Sequence, residues 1–337
     1  MSSRLKVLHV TAMYPSPKRP GRGAFVKAQV DSLREHADIE VFVIEGSHGL
    51  LPYVKKWPDL RSRLYAPDYD VVHAHYGNLG SLVRILGTKG RPLVTSYCGS
   101  DLLADRSSHQ PRLRDRFYGP VNRYYARFNE MALVKSRGLA EQIESFTENV
   151  AVIPNGVDTK LFKPMDRDAC REELELSPDV KVVLFGADPH NTIKNFNLLE
   201  SAARPLGDKV LIQTFAGGKI PHDKVPLYMN AADVVALTSH HEGSPNVVKE
   251  ALACSRPVFA TDCGDVQEVL GGVEGSRVLS YSATEWTEAL RDLVEGKVPT
   301  VTNGAAQIRA KGLDAESVAQ QLMAIYKKLA AEATQPV

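Results

Sequence analysis

Residues 237–270 read LTSHHEGSPNVVKEALACSRPVFATDCGDVQEVL, and the order of apolar, turn and helical residues in them sets the fold. The apolar run Val234–Thr238 enters this stretch and predicts a strand. The chain then turns through Ser239–Gly243. Ser244 followed by Pro245 reads as a helix start, with the serine as N-cap and the proline at the first helical position, where a missing N–H costs nothing. The predicted helix Pro245–Cys254 leads past Pro257 into a second strand, Val258–Thr261. Strand, helix and strand joined by short turns belong to a parallel sheet covered by helices.

The start of that helix is the natural place for chemistry. The backbone N–H groups of Asn246 and Val247 are expected to face outward at the C-terminal edge of the sheet, which makes an anion site. Glu250 follows Pro245 by five residues, roughly 7 Å along the axis. A diphosphate held at the helix end would leave its ribose at that reach, where a carboxylate accepts hydrogen bonds from two vicinal hydroxyls. Glu242, in the preceding turn, would face a sugar on the other side of the phosphates. From the local residues alone, Glu250 reads equally as a solvated helix residue and Glu242 as an ordinary acid of a turn.

Outward from this stretch the same alternation recurs. Val182–Phe185 and Leu211–Phe215 read as strands; Asn197–Ala203, Pro226–Ala231 and Thr284–Glu295 read as helices. In the first half the strands are Leu5–Val10, Ile39–Ile44, Val71–His75 and Leu93–Ser96, with helices over Phe25–His36 and Leu79–Leu86. Between the halves, Val152-Ile153-Pro154-Asn155-Gly156-Val157-Asp158 breaks any element. The expectation is α/β: two Rossmann-like domains, 1–154 and 155–314, facing each other across a cleft. The last helix, Ala315–Ala330, is placed to cap either domain and so to cross back onto the first.

Composition agrees with such a chain. At 337 residues it is long enough for two cores, and 43% hydrophobic with 24% charged residues is the balance of a globular protein. The apolar runs are of strand length, far short of the roughly 18 residues of a membrane helix. The N-terminus runs directly into a strand with no signal-peptide pattern, so a cytoplasmic site is expected. Cys98, Cys170, Cys254 and Cys263 make no CxxC pair and no zinc spacing, and are expected as free thiols. Residues 1–154 carry 22 Lys+Arg against 15 Asp+Glu, a net +7, and the remainder 19 against 25, a net −6. A basic first half suits an anionic partner.

The sequence resembles the family-4 retaining glycosyltransferases of GT-B fold. The resemblance rests on Glu242-Gly243, on Glu250-Ala251-Leu252-Ala253-Cys254 and on Pro257-Val258. The segment Ile153–Asp158, similar to the family's interdomain hinge, and Tyr228-Met229-Asn230-Ala231-Ala232-Asp233, similar to the step before its donor loop, extend it. The SPNVVKE variant resembles bacterial members that build surface polysaccharides or teichuronic acid. The likeness spans nearly the whole chain and is densest between 150 and 270.

That resemblance implies a nucleotide-diphosphate-sugar donor and a glycan, lipid-linked or small-molecule acceptor, with retention of anomeric configuration. No carboxylate nucleophile is evident, so a front-face dissociative route is expected, with no cofactor and no essential metal. Glu250 would bind the donor ribose and Glu242 the hydroxyls of the transferred sugar. Ser244 and the amides of Asn246 and Val247 would hold the diphosphate. Lys194 matches the family lysine that neutralises charge on the leaving diphosphate. Two positions depart from the pattern. Ala187 stands where the family has a phosphate-binding arginine, with His190 in the following loop as its expected replacement. Cys98 stands where a histidine is usual, with Asp101 as the expected replacement or, equally, a helix cap.

Weaker signals lie in the first half. The loop Pro15–Gly23 resembles the family's first-loop turn, and Gly23 is a candidate donor contact there. Gly21-x-Gly23 lacks the third glycine of a dinucleotide fingerprint. His73 and His75 share one face of a strand, as acceptor-side groups or as hydrogen-bonded core residues, and no His/Asp/Glu set has metal spacing. Arg106–Arg127 mixes six arginines with aromatic residues. It reads as a solvated helical surface or as a peripheral contact with the inner face of an anionic membrane, and not as a nucleic-acid site. A sugar-nucleotide 2-epimerase and a non-catalytic nucleotide-sugar binder are the rival functions.

Overall fold

The computed structural model describes residues 4–17, 19–45, 51–102, 113–215 and 220–334. The chain divides into two units. One comprises Met1–Ser16, Arg22–Gly156 and Glu316–Val337, the other Pro17–Gly21 and Val157–Ala315.

In the first unit the strands β1 (Lys6–Thr11), β2 (Asp38–Val43), β3 (Val71–His75), β4 (Leu93–Tyr97), β5 (Met131–Val134) and β6 (Val150–Val152) form one sheet in the order β2-β1-β3-β4-β5-β6. Every neighbouring pair is parallel. The helices are α1 (Ala24–Leu33), α2 (Leu51–Tyr65), α3 (Gly77–Leu86), α4 (Leu113–Ala126) and α5 (Arg137–Ala140). Successive residues of β1 point to opposite faces. Val7 packs with Leu33, Val71 and Val94, whereas Leu8 and Val10 pack with Leu60, Val72 and Val83. Burial on both faces explains why these strands read as continuous apolar runs.

The second unit repeats the plan with β7 (Lys181–Phe185), β8 (Val210–Thr214), β9 (Val234–Leu237), β10 (Val258–Thr261) and β11 (Arg277–Leu279), in the parallel order β11-β10-β9-β7-β8. Its helices are α6 (Arg167–Glu173), α7 (Phe196–Ala203), α8 (Val225–Ala231), α9 (Asn246–Ala253), α10 (Val266–Leu270), α11 (Ala283–Val294) and α12 (Gly304–Ala310). Val182 and Leu184 face a core with Val248 and Leu252 of α9, and Val183 and Phe185 face one with Leu199 and Trp286.

The last helix, α13 (Ala315–Ala333), lays Val318, Leu322, Tyr326 and Leu329 against Val7, Val71, Val94 and Leu133 of the first sheet. The spacing of those four residues at three or four positions is what one buried helical face requires. The Tyr326 hydroxyl reaches His73 Nδ1 at 2.5 Å, a polar contact in the middle of this interface.

The expected elements lie within a few residues of their predicted ends. Several others escape a reading by periodicity. Pro58 interrupts the pattern of α2, and β6 and β11 are three residues each, too short to show alternation.

Candidate active site

In an open parallel sheet, ligands bind beyond the carboxyl ends of the strands where the strand order reverses. In the second unit that place lies between β7 and β9, since β7 runs on to β8 on one side while β9 flanks it on the other. The chain leaving β7 and the chain leaving β9 are stitched together there. The Thr238 hydroxyl donates to the carbonyls of Lys194 and Asn195 at 2.8 and 2.9 Å, and the His240 amide donates to Ile193 O at 2.9 Å. Asn195 takes a left-handed conformation, φ 50°, which ends the short 3₁₀ turn Thr192–Lys194 and starts α7.

This stitching brings together two of the residues singled out from the sequence. Lys194 Nζ lies 2.5 Å from Glu242 Oε1, and the Ser239 hydroxyl donates to the same oxygen at 2.8 Å. Both side chains remain partly open, 27% exposed for the lysine and 17% for the glutamate. The turn carrying Glu242 is held from below. Thr261 Oγ1 donates to Ser239 O at 2.7 Å. A Cβ on Gly264 would stand 2.7 Å from Gly243 O, so the next loop crosses the turn where only glycine fits; its φ of +64° makes the same demand.

The start of α9 differs in detail from the expectation. Pro245, not Ser244, occupies the N-cap position, with φ −70° and ψ 115°. Proline is preset for that extended backbone, and Ser244 is drawn elsewhere. Its hydroxyl donates to Asp265 Oδ2 at 2.5 Å and accepts from Lys249 Nζ at 2.9 Å. Lys249 and Asp265 are both buried, and burial raises the Asp265 carboxyl above its ordinary value against the pull of Lys249. Ser244 therefore bridges a buried ion pair that anchors the helix start, in place of capping it. Val247 packs so closely on the end of β7 that a Cβ on Gly186 would lie 2.4 Å from its Cγ2. Asn246 and Val247 are the first two residues of the helix, so its positive end stands beside Gly186 at the edge of the sheet.

Glu250 sits one turn further along α9, 17% exposed, with Oε1 at 3.4 Å from His222 Nε2. The hydrogen bond to Glu250 is the main reason that His222 is held above its ordinary value, against the effect of burial. His222 escaped the sequence reading. It lies in a 3₁₀ turn, His222–Lys224, where no periodicity marks it. His190, expected to replace the missing arginine, is an exposed residue whose amide donates to Asp188 Oδ1 at 2.9 Å, and Ala187 packs against the apolar core of Val183 and Phe185.

The first unit places its candidates differently. Gly23 is the N-cap of α1 at φ 69°, and a Cβ there would lie 2.2 Å from Met13 O, so a close approach of backbone explains the glycine. Asp101 is not open to a donor sugar. It is buried and accepts from the amides of Gly77 at 2.8 Å, Cys98 at 3.0 Å and Gly99 at 2.9 Å. Gly77 is the first residue of α3, so this carboxylate serves the start of a helix 24 residues upstream and not one in its own Gly-Ser-Asp turn. Burial raises its pKa and the backbone amides pull it back. Tyr76, just before α3, holds φ 76° and ψ 138°, a conformation that L-residues avoid, with its amide fixed on Ser96 O at 2.8 Å.

His73 and His75 are joined by His9 from β1, contrary to the expectation that no such set exists. The three buried imidazoles bring ligand atoms within 4.8 Å of one another. His9 Nδ1 and His75 Nε2 lie 2.9 Å apart, and His73 is engaged by Ser96 Oγ at 2.8 Å as well as by Tyr326. The His73 and His75 rings stack at 4.4 Å and 18°. Burial keeps all three neutral, with His9 pulled down to about 3. All three buried imidazoles make hydrogen bonds, and His9 Nε2 is left without a partner among the described residues.

Of the Arg106–Arg127 segment, Arg106 and Arg112 lie outside the described residues. Within α4 and just after it, Tyr124 and Phe128 are exposed, with the Arg127 guanidinium 5.3 and 5.7 Å from their ring centres. The four cysteines are free thiols. Among the described residues no helix is long and apolar enough to cross a membrane.

Comparison with known proteins agrees with this geometry. The family description "Glycosyltransferase Family 4" matches residues 8–161, and "Glycosyl transferases group 1" matches residues 167–296. The chain is a family-4 glycosyltransferase of GT-B fold. A D-inositol 3-phosphate glycosyltransferase of Catenulispora acidiphila is 27% identical, over 78% of this chain and 73% of that protein. The enzyme of the same name from Corynebacterium aurimucosum is 28% identical, over 79% and 73%. Among solved structures, sucrose-phosphate synthase from Thermosynechococcus elongatus superposes with a TM-score of 0.76 at 18% identity, covering 98% of this chain and all of that one. Anabaena HepE in complex with UDP and glucose gives 0.71 at 19% identity, covering 96% and 99%. These likenesses favour neither the epimerase nor the non-catalytic binder.

Proposed function

We propose that this glycosyltransferase moves a sugar, with retention at the anomeric carbon, from a nucleotide-diphosphate donor to a hydroxyl of a phosphorylated polyol or glycan acceptor. The observation that carries the reading is the Lys194–Glu242 pair at the strand-order reversal of the second sheet, in the unit that also sets Glu250 one turn along α9. As the glycosidic bond breaks, negative charge builds on the leaving diphosphate. A lysine ammonium and the positive end of a helix, both preset, stabilise that charge without reorganising at the moment of reaction. Glu242 accepts hydrogen bonds from hydroxyls of the transferred sugar, and Glu250 accepts from the ribose.

These fixed positive groups make a metal unnecessary, so activity is expected to survive a chelator. The acceptor falls to the first unit. Support comes from its net charge of +7 over residues 1–154 and from the strained Tyr76 beyond β3, because strain of this kind gathers at ligand sites. The name of the Catenulispora relative makes D-inositol 3-phosphate the first acceptor to try. Arginines and exposed aromatic rings around Arg127 also suit contact with an anionic membrane surface.

The test is release of nucleoside diphosphate from UDP- and GDP-linked sugars with and without acceptor, with the product anomer read by NMR. Acceptor-dependent release and an unchanged anomer support the proposal. Conversion of the donor to an isomeric sugar nucleotide without acceptor, or an inverted product, contradicts it.

A further inference from the structure

We infer that His222 is a positioning residue for Glu250, fixing its carboxylate for the donor ribose and making donor binding depend on pH. The inference rests on the reading of Glu250 as the ribose ligand. A carboxylate offers two oxygens. With Oε1 tied to His222 Nε2 at 3.4 Å, the group loses freedom of rotation and its other oxygen is left for hydroxyls of the ligand. Both partners are open enough to be reached, 30% exposed for the imidazole and 17% for the carboxylate.

The imidazole is itself held in place. Pro221 starts its 3₁₀ turn, which closes through Lys224 N to Pro221 O at 2.9 Å. The buried ring of Phe162 meets it edge-on at a centroid distance of 5.3 Å. Among the described residues, the charged groups that act on it are acidic. Glu250 reaches it from α9, Asp158 from the loop that leads to Phe162, and Asp223 from its own turn. Lys224, the base on that turn, stands 3.8 Å from Glu173 instead. Acidic neighbours favour the imidazolium, and their effect outweighs burial.

The imidazolium donates to Glu250 whichever way its protons are arranged, and it adds positive charge beside an anionic ligand. Neutral imidazole does so only in the tautomer with its proton on Nε2, and without the charge. Donor affinity is therefore highest with His222 protonated and falls as the pH rises through its pKa.

UDP-glucose is the suitable probe, because its substituted diphosphate exchanges no proton near neutrality, whereas the terminal phosphate of a free nucleotide does, near pH 6. The full chain is titrated calorimetrically with UDP-glucose and with GDP-glucose at about pH 6 and about pH 8.5, on either side of the ordinary imidazole range. The parent, His222→Gln, His222→Ala and Glu250→Ala are compared. The parent is expected to bind roughly two- to fivefold tighter at the lower pH, the size of effect a partly exposed charge produces. His222→Gln, which keeps a donor and loses the titration, should match the parent's high-pH affinity at both values. His222→Ala should bind more weakly than the parent at both. If the His222 variants keep the parental affinity and pH slope while Glu250→Ala loses affinity, the positioning role alone is overturned. If the parent binds neither nucleotide sugar, or Glu250→Ala binds as the parent does, the ribose assignment falls and the inference with it.

Discussion

Lys194 and Glu242, 48 residues apart in sequence, meet through Nζ and Oε1 at 2.5 Å, with Ser239 on the same oxygen. Each side chain thus fixes the position of the other before any donor arrives. Glu242→Gln removes the lysine's counter-charge as well as an acceptor for sugar hydroxyls. It is expected to slow transfer strongly while leaving the affinity for free nucleoside diphosphate near the parental value. Because the residues touch, their effects are coupled. Lys194→Ala and Glu242→Gln combined should lose less than the sum of the single losses, with an interaction of about 0.5–3 kcal/mol in a double-mutant cycle on turnover. Strict additivity would show that the contact plays no part in the reaction.

Glu250→Ala tests the nucleotide end of the site. Losing a charged acceptor of two hydroxyl bonds is expected to cost about 1.5–3 kcal/mol, roughly ten- to hundredfold in affinity for UDP-glucose by calorimetry. The fold should stand, since the side chain is partly exposed at 17%. Loss of cooperative melting in the variant would instead make Glu250 a structural residue.

Gly186 links the end of β7 to α9 through Val247. Gly186→Ala places a Cβ 2.4 Å from Val247 Cγ2, and relief requires Val247, which has one favoured rotamer in a helix, to turn or the first turn of α9 to move. A cost of about 1–3 kcal/mol in stability is expected, as for other overpacked sites, with a loss of donor affinity. Adding Val247→Ala removes the clashing methyl and should restore most of both. Failure of the second substitution to rescue, read by thermal melting and donor titration, would show that the two residues do not set the helix position.

The two sheets and the helix carrying Glu250 are legible in the sequence because buried parallel strands and amphipathic helices leave patterns in order along the chain. Two partnerships are not. Lys194 with Glu242, and Glu250 with His222, join loops distant in sequence, and neither Thr192-Ile193-Lys194-Asn195 nor Pro221-His222-Asp223 has any periodicity. Ser244 shows a subtler limit. The Ser-Pro pair marks the helix start correctly, yet Pro245 takes the cap because buried Asp265 and Lys249 claim the serine hydroxyl. Asp101 could be read as a site residue or a cap for a similar reason: the amides of Cys98 and Gly99 are local to it, but nothing in the sequence shows that Gly77, 24 residues upstream, also donates to its carboxylate.

The buried histidines give the protein an acid limit. His9, His73 and His75 are neutral in the fold, and their pKa values lie below the ordinary value of 6.5. Unfolding lets them take up protons at any pH between their folded and unfolded values. Stability contributed by the cluster is therefore complete above pH 6.5 and is lost as the pH falls below it. Each such proton adds a slope of about 1.4 kcal/mol per pH unit. His222, held above its ordinary value, contributes in the opposite sense and is common to parent and variant. His9→Asn is expected to reduce the slope of denaturation free energy against pH by about half a proton's worth between about pH 7.5 and about pH 5.5, and by close to a full proton's worth between about pH 5.5 and about pH 4. An unchanged slope would mean that His9 is protonated in the fold.

Lys194→Ala gives the most direct test of the central claim, that the second unit stabilises a departing nucleotide diphosphate. Charge on that group is greatest in the transition state, so the lysine should matter more to rate than to binding. With Ala187 in place of the family's arginine, less of the load is shared. At saturating donor and acceptor, turnover is expected to fall by a factor on the order of 10² to 10³, while the Kd for the donor changes far less. Near-parental turnover under those conditions would contradict the account and leave Lys194 as no more than the counter-ion of Glu242.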